Sequence, residues 1–212
     1  MDELETLITA ARGVLDVKYR AREEALAHGR ALTRTCANAI RAVHRGEMEA
    51  ARAALDGART ETERVKAVLA PHPDIFHAGY VQDAHKELAE AEALLALVQK
   101  APLPTPQSLG VETAAFLNGL AEAASEGRRF ALDCLRRGET GRAQEMLARM
   151  DDILSQLTTV DYPDALTGGL RRTCDALRAV VERTRGDVTM AVLQNNLLSH
   201  LPRIGEQASL RA

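Results

Sequence analysis

Two pairs of glutamates carry the chemistry this sequence could do. In HKELAEAEALLALVQ, residues 85–99, Leu88, Ala91, Leu94, Leu95 and Val98 recur at helical spacing and define one apolar face. At about 100° per residue, Glu87 falls inside that arc beside Leu94 and Ala91, and Glu90 sits at its edge between Leu94 and Leu97. Glu92 falls well off the face, where a solvated glutamate belongs, and His85 lies on the polar side. Further on, NGLAEAASEGRR places Glu122 and Glu126 four residues apart, again on one helix face. If the two helices pack antiparallel, the pairs converge. Four carboxylates at one level repel unless they are protonated or bridged by a cation. An all-oxygen donor set of this kind suits Mg²⁺ or Mn²⁺.

Other readings of the same residues stay open. Glu122 and Glu126 share their side of the helix with Asn118, Arg129 and Asp133, which also fits an ordinary solvated face. An arginine from elsewhere would satisfy Glu87, which on a packing face costs several kcal/mol if left alone. A di-iron carboxylate site is disfavoured, because it wants Glu-x-x-His on two helices and neither pair is followed by such a histidine.

A second feature is basic. In GRALTRTCANAIRAVHRGE, Arg30, Arg34, Arg41 and Arg45 lie within about 60° of one another on a helical wheel. Beyond Glu23 the stripe has little acid of its own, so it is either a solvated face or a track for a phosphate backbone. Aromatic residues make up only 3% of the chain, so base stacking would contribute little. Arg171, Asp175, Arg178 and Glu182 form a mixed-charge stripe that reads as surface pairing.

The elements that must position these residues are helical. The 212 residues fit one domain, or at most two small ones, with 46% hydrophobic and 27% charged residues. Alanine and leucine carry the apolar content and no stretch alternates as a half-buried strand would. Proline and glycine punctuation predicts helices from Asp2 to Arg45, Glu47 to Leu69, Asp74 to Lys100, Leu109 to Arg137, Thr140 to Leu157, Leu170 to Arg185 and Asp187 to His200. A flexible tail is expected from about residue 203. The expectation is an all-α bundle of about seven helices in a single domain over 1–212.

A net charge of −3 gives no whole-protein attraction for nucleic acid. Cys36, Cys134 and Cys174 are odd in number and widely spaced, which points to buried free thiols rather than disulfides or a zinc site. The acidic start MDELETLITA is unlike a secretory signal, and no apolar run reaches the length of a membrane span, so a cytoplasmic protein without a membrane partner is expected.

Taken together, these stretches resemble the translin family, and most of all its branch of translin-associated factor X and similar archaeal proteins. REEALAHGRALTRTCANAIRAVHRGE is similar to the family's first long helix with its closing His-Arg. FHAGYVQDAHKELAEAEAL carries the Glu-x-x-Glu-Ala pattern at Glu87, Glu90 and Ala91. GLAEAASEGRR resembles the Gly-x-x-Asp-x-x-x-Glu-Leu stretch, and DYPDALTGGLRRTCDALRAVVERTRGD the C-terminal Leu-Arg-Arg…Asp helix.

The resemblance implies an all-α fold of about seven helices and assembly into a homo-oligomer, an octamer by analogy. It also implies a Mg²⁺-dependent endoribonuclease acting on single-stranded RNA. Carried over by position, Glu87, Glu90, Glu122 and Glu126 are its metal ligands and catalytic residues, with Mn²⁺ as the alternative ion. Arg30, Arg34, Arg41 and Arg45 are the candidate RNA-binding residues. The alternatives are a non-catalytic translin-like binder of single-stranded RNA or DNA, and a helical scaffold whose glutamates pair with arginines. Two positions depart from the family pattern. Residue 122 is Glu rather than Asp, and Gly127 replaces Leu, which is expected to loosen that turn.

Overall fold

The computed structural model of the chain describes residues 2–209, with side chains as far as 198. Among the described residues there are helices and connections and no strand. The first helix, α1 (Asp2–Arg45), has Asp2, Glu3 and Glu5 in its first turn and His44 and Arg45 in its last, which complements the helix dipole at both ends. Gly46, at φ 79°, closes it: the Gly46 and Glu47 amides donate back to the Val43 and Ala42 carbonyls. The chain then returns as α2 (Met48–Leu69), packed along α1.

The helix expected from Asp74 to Lys100 is broken once. A single turn, α3 (Pro73–Phe76), is followed by α4 (Gly79–Gln99), with Ala78 extended between them. Lys100 ends α4 in the left-handed region at φ 57°. The helix expected from Leu109 to Arg137 starts four residues later, as α6 (Thr113–Arg136), and a single turn, α5 (Pro106–Leu109), precedes it across Gly110 at φ 63°. Thr105 and Ser108 form a reciprocal capping box on α5. Next come α7 (Thr140–Leu157) and the one-turn α8 (Asp164–Thr167).

The two helices expected from Leu170 to His200 are one, α9 (Leu170–Ser209), running through Gly186 and Pro202. A glycine inside a helix costs about 1 kcal/mol. Val181, Thr184 and Val188 are buried on both sides of Gly186, and Arg128 of α6 pairs with Asp187, so packing outweighs that cost. The flexible tail expected beyond about residue 203 falls outside the described side chains.

The layers set the environment of the acidic residues. The α1–α2 hairpin covers one side of α4 and α6 covers the other, while α7 and α9 pack behind α6. α4 is thus the central helix, and every residue from Leu88 to Val98 is buried. Cys36, Cys134 and Cys174 are free and buried, as expected.

α4 and α6 approach closely because Gly119 has no side chain. A Cβ there would sit 2.5 Å from the Lys86 carbonyl oxygen and 2.7 Å from Ala89 Cβ. Gly127 acts similarly toward α7: a Cβ would lie 3.0 Å from Met146 Sδ and 3.3 Å from Met150 Cγ. Instead of loosening its turn, Gly127 lets α7 seat against an unbroken α6.

Candidate metal centre

Gly119 places Glu122, one turn further along α6, across from Glu87 and Glu90 on α4. Glu87, Glu90 and Glu122 each present a carboxylate oxygen, and these oxygens lie within 4.8 Å of one another. Glu90 is the most enclosed, at 9% exposure. Burial, then the Glu87, Glu122 and Glu126 carboxylates, push it up to about 8. Burial likewise raises Glu87, with the nearby Lys86 ammonium opposing. Among the described residues the cation beside the cluster is Lys86, whose Nζ donates to Glu122 Oε1 at 2.7 Å. Among the described residues no ion pair reaches Glu87 or Glu90. Two enclosed carboxylates without a cationic partner, beside a third, form a donor set with which a hard divalent ion is compatible.

Glu126, the fourth residue predicted for the cluster, is held elsewhere. His44, at the end of α1, has its Nε2 2.7 Å from Glu126 Oε2. An ionised carboxylate only accepts, so the imidazole N–H donates. This hydrogen bond holds the Glu126 carboxyl below its ordinary range. Sequence reasoning missed His44 because its partner lies on a helix far away in the chain; the closing His-Arg of α1 was its only signal.

Two expectations are corrected here. Glu92 is not solvated: it is buried and receives Arg59 Nε of α2 at 2.6 Å. His85 is not on a polar side but fully buried beside the Phe76 ring at 5.6 Å, and burial lowers it to about 4. Both errors have one cause. Helical periodicity identifies a single buried face, and α4 is covered from several sides.

Two grooves reach the cluster. One, of about 420 Å³ between α1 and α4, is lined by Arg30, Arg34, Tyr80, Asp83 and Glu87 among others. The other, of about 550 Å³ between α4, α6 and the α8 region, is lined by Gln82, Asp83, Lys86, Glu112, Asn118, Glu122 and their neighbours. The arginine stripe therefore divides. Arg30 and Arg34 line the first groove and have no ion-pair partner among the described residues. Arg41 donates to Asn38 Oδ1 at 2.5 Å, and Arg45 forms a two-bond pair with Glu47 at 2.9 and 2.6 Å. On α9, Arg178 pairs with Asp175 at 2.9 Å, in keeping with surface pairing.

The fold and this cluster define an all-α protein with a recessed acidic centre between two closely packed helices. The chain is 34% identical to AfC3PO as seen in its complex with duplex RNA, covering 88% of this chain and 97% of that one, with a TM-score of 0.83. A crystal structure of AfC3PO matches with 33% identity and a TM-score of 0.82 over the same shares. Apo-NeC3PO shares the fold at a TM-score of 0.77 and 16% identity, covering 87% and 96% of the two chains. An uncharacterized protein of Methanocaldococcus jannaschii, MJ0175, is 28% identical over 207 residues, 96% of this chain and 89% of its own length. No protein-family model matches the chain. On this likeness the chain belongs to the translin family, with the C3PO proteins.

Proposed function

We propose that this chain is a Mg²⁺-dependent endoribonuclease that cleaves single-stranded RNA, with Mn²⁺ able to replace Mg²⁺. The observation that carries this reading is the pairing pattern of the glutamates. Glu92 and Glu126 each have a basic partner, whereas the half-buried Glu87 and the buried Glu90 have no ion-pair partner among the described residues. A scaffold whose glutamates serve only as ion-pair partners would not leave those two unpaired. Glu87, Glu90 and Glu122 would hold the ion, which supplies a polarised phosphate and an activated water when bound.

The remaining work belongs to side chains. Arg30 and Arg34 line the groove that leads to Glu87, so a strand held there by its phosphates has one phosphate near the cluster. Lys86 steadies the Glu122 carboxylate with a hydrogen bond. Glu90 lies deep between α4 and α6, and a flexible single strand can bend a phosphate into such a recess. A paired strand must first lose its stacking and pairing. AfC3PO is seen in complex with duplex RNA. For this chain we separate binding, which either form satisfies, from cutting, which favours the unpaired strand.

Assembly fits the same reading. The first half of α1 exposes Leu4, Leu7, Ile8, Val14 and Leu15, and the far part of α9 exposes Met190, Leu193, Leu197 and Leu198. Apolar stripes of this size on helices that project from the core favour self-association. A closed homo-oligomer, an octamer by family resemblance, would gather the Arg30 and Arg34 faces around one cavity. Among the described residues no helix is long and apolar enough to cross a membrane.

The test is cleavage of an unstructured RNA and of its duplex, in Mg²⁺, in Mn²⁺ and in excess EDTA. Metal-dependent cutting of the single strand is expected. Equal activity in EDTA, or binding without cleavage in either metal, overturns the enzyme reading, and binding without cleavage supports the non-catalytic binder.

A further inference from the structure

Glu126 differs from the three clustered glutamates in its partner and in its place on α6. Its Oε2 is engaged by His44, a residue of α1, whereas the cluster is built by α4 and α6 alone. It lies one helical turn beyond Glu122, about 6 Å along the axis. Its side chain is 38% exposed, close to the 33% of Glu122 and unlike the buried Glu90, and it lines a separate groove with Arg128, Arg129 and Asp133. It remains close enough for its charge to be felt at Glu90.

His44 is the other half of the observation. Its side chain is 1% exposed, and Glu126 is its one hydrogen-bond partner among the described residues. A proton on Nε2 gives Glu126 its donor, and Nδ1 meets no partner among the described residues. Burying an imidazole with a single polar contact is costly, and that contact fixes one carboxylate oxygen. The other oxygen, Oε1, has no hydrogen-bond partner among the described residues and can accept a proton.

Resting on the endoribonuclease reading, we infer that Glu126 stands outside the cation's ligand set and is the general base of cleavage, with His44 as the residue that positions it. In the step this assigns, a water oxygen forms a bond to phosphorus while the water proton passes to Glu126 Oε1. The bond from phosphorus to the leaving ribose oxygen breaks, and that oxygen takes a proton from solvent. Glu126 returns its own proton to solvent through its exposed side. An enclosed carboxylate such as Glu90 lacks that route.

The test compares Glu126→Gln, Glu90→Gln, His44→Leu and His44→Gln by Mn²⁺ calorimetry, by kcat and KM on unstructured RNA, and by melting to verify folding. Glu126→Gln is expected to keep Mn²⁺ affinity within about twofold while kcat falls by about 10² to 10⁴. Glu90→Gln is expected to lose Mn²⁺ binding itself. His44→Leu should lower kcat by about 10-fold or more with KM unchanged, and His44→Gln, which keeps a donor at the same reach, should recover most of it. Loss of Mn²⁺ affinity in Glu126→Gln overturns the inference by making Glu126 a ligand. Equal rates for His44→Leu and His44→Gln overturn the positioning role. If the parent binds Mn²⁺ but cuts no RNA, the enzyme reading fails and the base role with it, a result distinct from either of the others.

Discussion

Raising the pH in the absence of divalent ions should destabilise this protein through Glu90. Its carboxyl has an ordinary value of 4.5 and is held up to about 8 in the fold, first by burial and then by the Glu87, Glu122 and Glu126 carboxylates. Between those values the folded protein keeps a proton that the unfolded chain releases. The stabilisation is therefore fully present below about 4.5 and is lost as pH rises through about 8. A rise of that size corresponds to roughly 5 kcal/mol, a large share of the roughly 5–15 kcal/mol that holds a typical domain together. Glu90→Gln imitates the protonated form and cannot ionise. In EDTA the two proteins should unfold at similar denaturant concentrations at pH 5, and the variant should be more stable by several kcal/mol at pH 9. Saturating Mg²⁺ should restore the parent at pH 9, by about 2.7 kcal/mol at a hundredfold excess over Kd, and leave the variant unchanged. Urea titrations at pH 5, 7 and 9 read this directly. Parallel pH profiles for parent and variant would refute the argument that burial and like charge hold Glu90 protonated.

Three further outcomes follow from the geometry. Gly119→Ala forces a Cβ to within 2.5 Å of the Lys86 carbonyl oxygen, so α4 and α6 must part. A loss of about 1–3 kcal/mol and weaker Mn²⁺ binding are expected by melting and calorimetry, and an unchanged affinity would mean the cluster does not depend on that approach. Arg30→Ala and Arg34→Ala should each weaken single-stranded RNA binding and reduce the salt slope by about 0.7, whereas Arg45→Ala, already paired with Glu47, should do much less. Filter binding across a salt series separates these, and a larger effect at Arg45 would contradict the division of the stripe. On the proposed self-association, Leu7→Asp together with Leu15→Asp should lower the mass measured by light scattering, since both side chains are exposed on the first half of α1.

Much of this protein was legible residue by residue. Gly46 after a run of helix formers marks the end of α1, Pro71 and Pro73 end α2, and Gly138 closes the turn before α7. Such boundaries are local, because a left-handed glycine or a missing amide acts within its own turn. The two glutamate pairs were legible in the same way, since i, i+3 and i, i+4 spacings fix which side chains share a face.

What each glutamate meets was decided by tertiary packing. Glu92 and Glu90 are two residues apart on one helix and both buried, yet Arg59 of α2 reaches only Glu92. Glu122 and Glu126 share a face of α6, yet Gly119 brings α4 against the first while α1 carries His44 to the second. Gly186 looked like a boundary and is not one, because Val181 and Val188 are buried on either side of it. The sequence by itself determined the helices and the acidic faces, through forces that act within a turn or two. Which carboxylates pair and which stay open depends on helices brought together from distant parts of the chain, and that juxtaposition exists only in the folded protein.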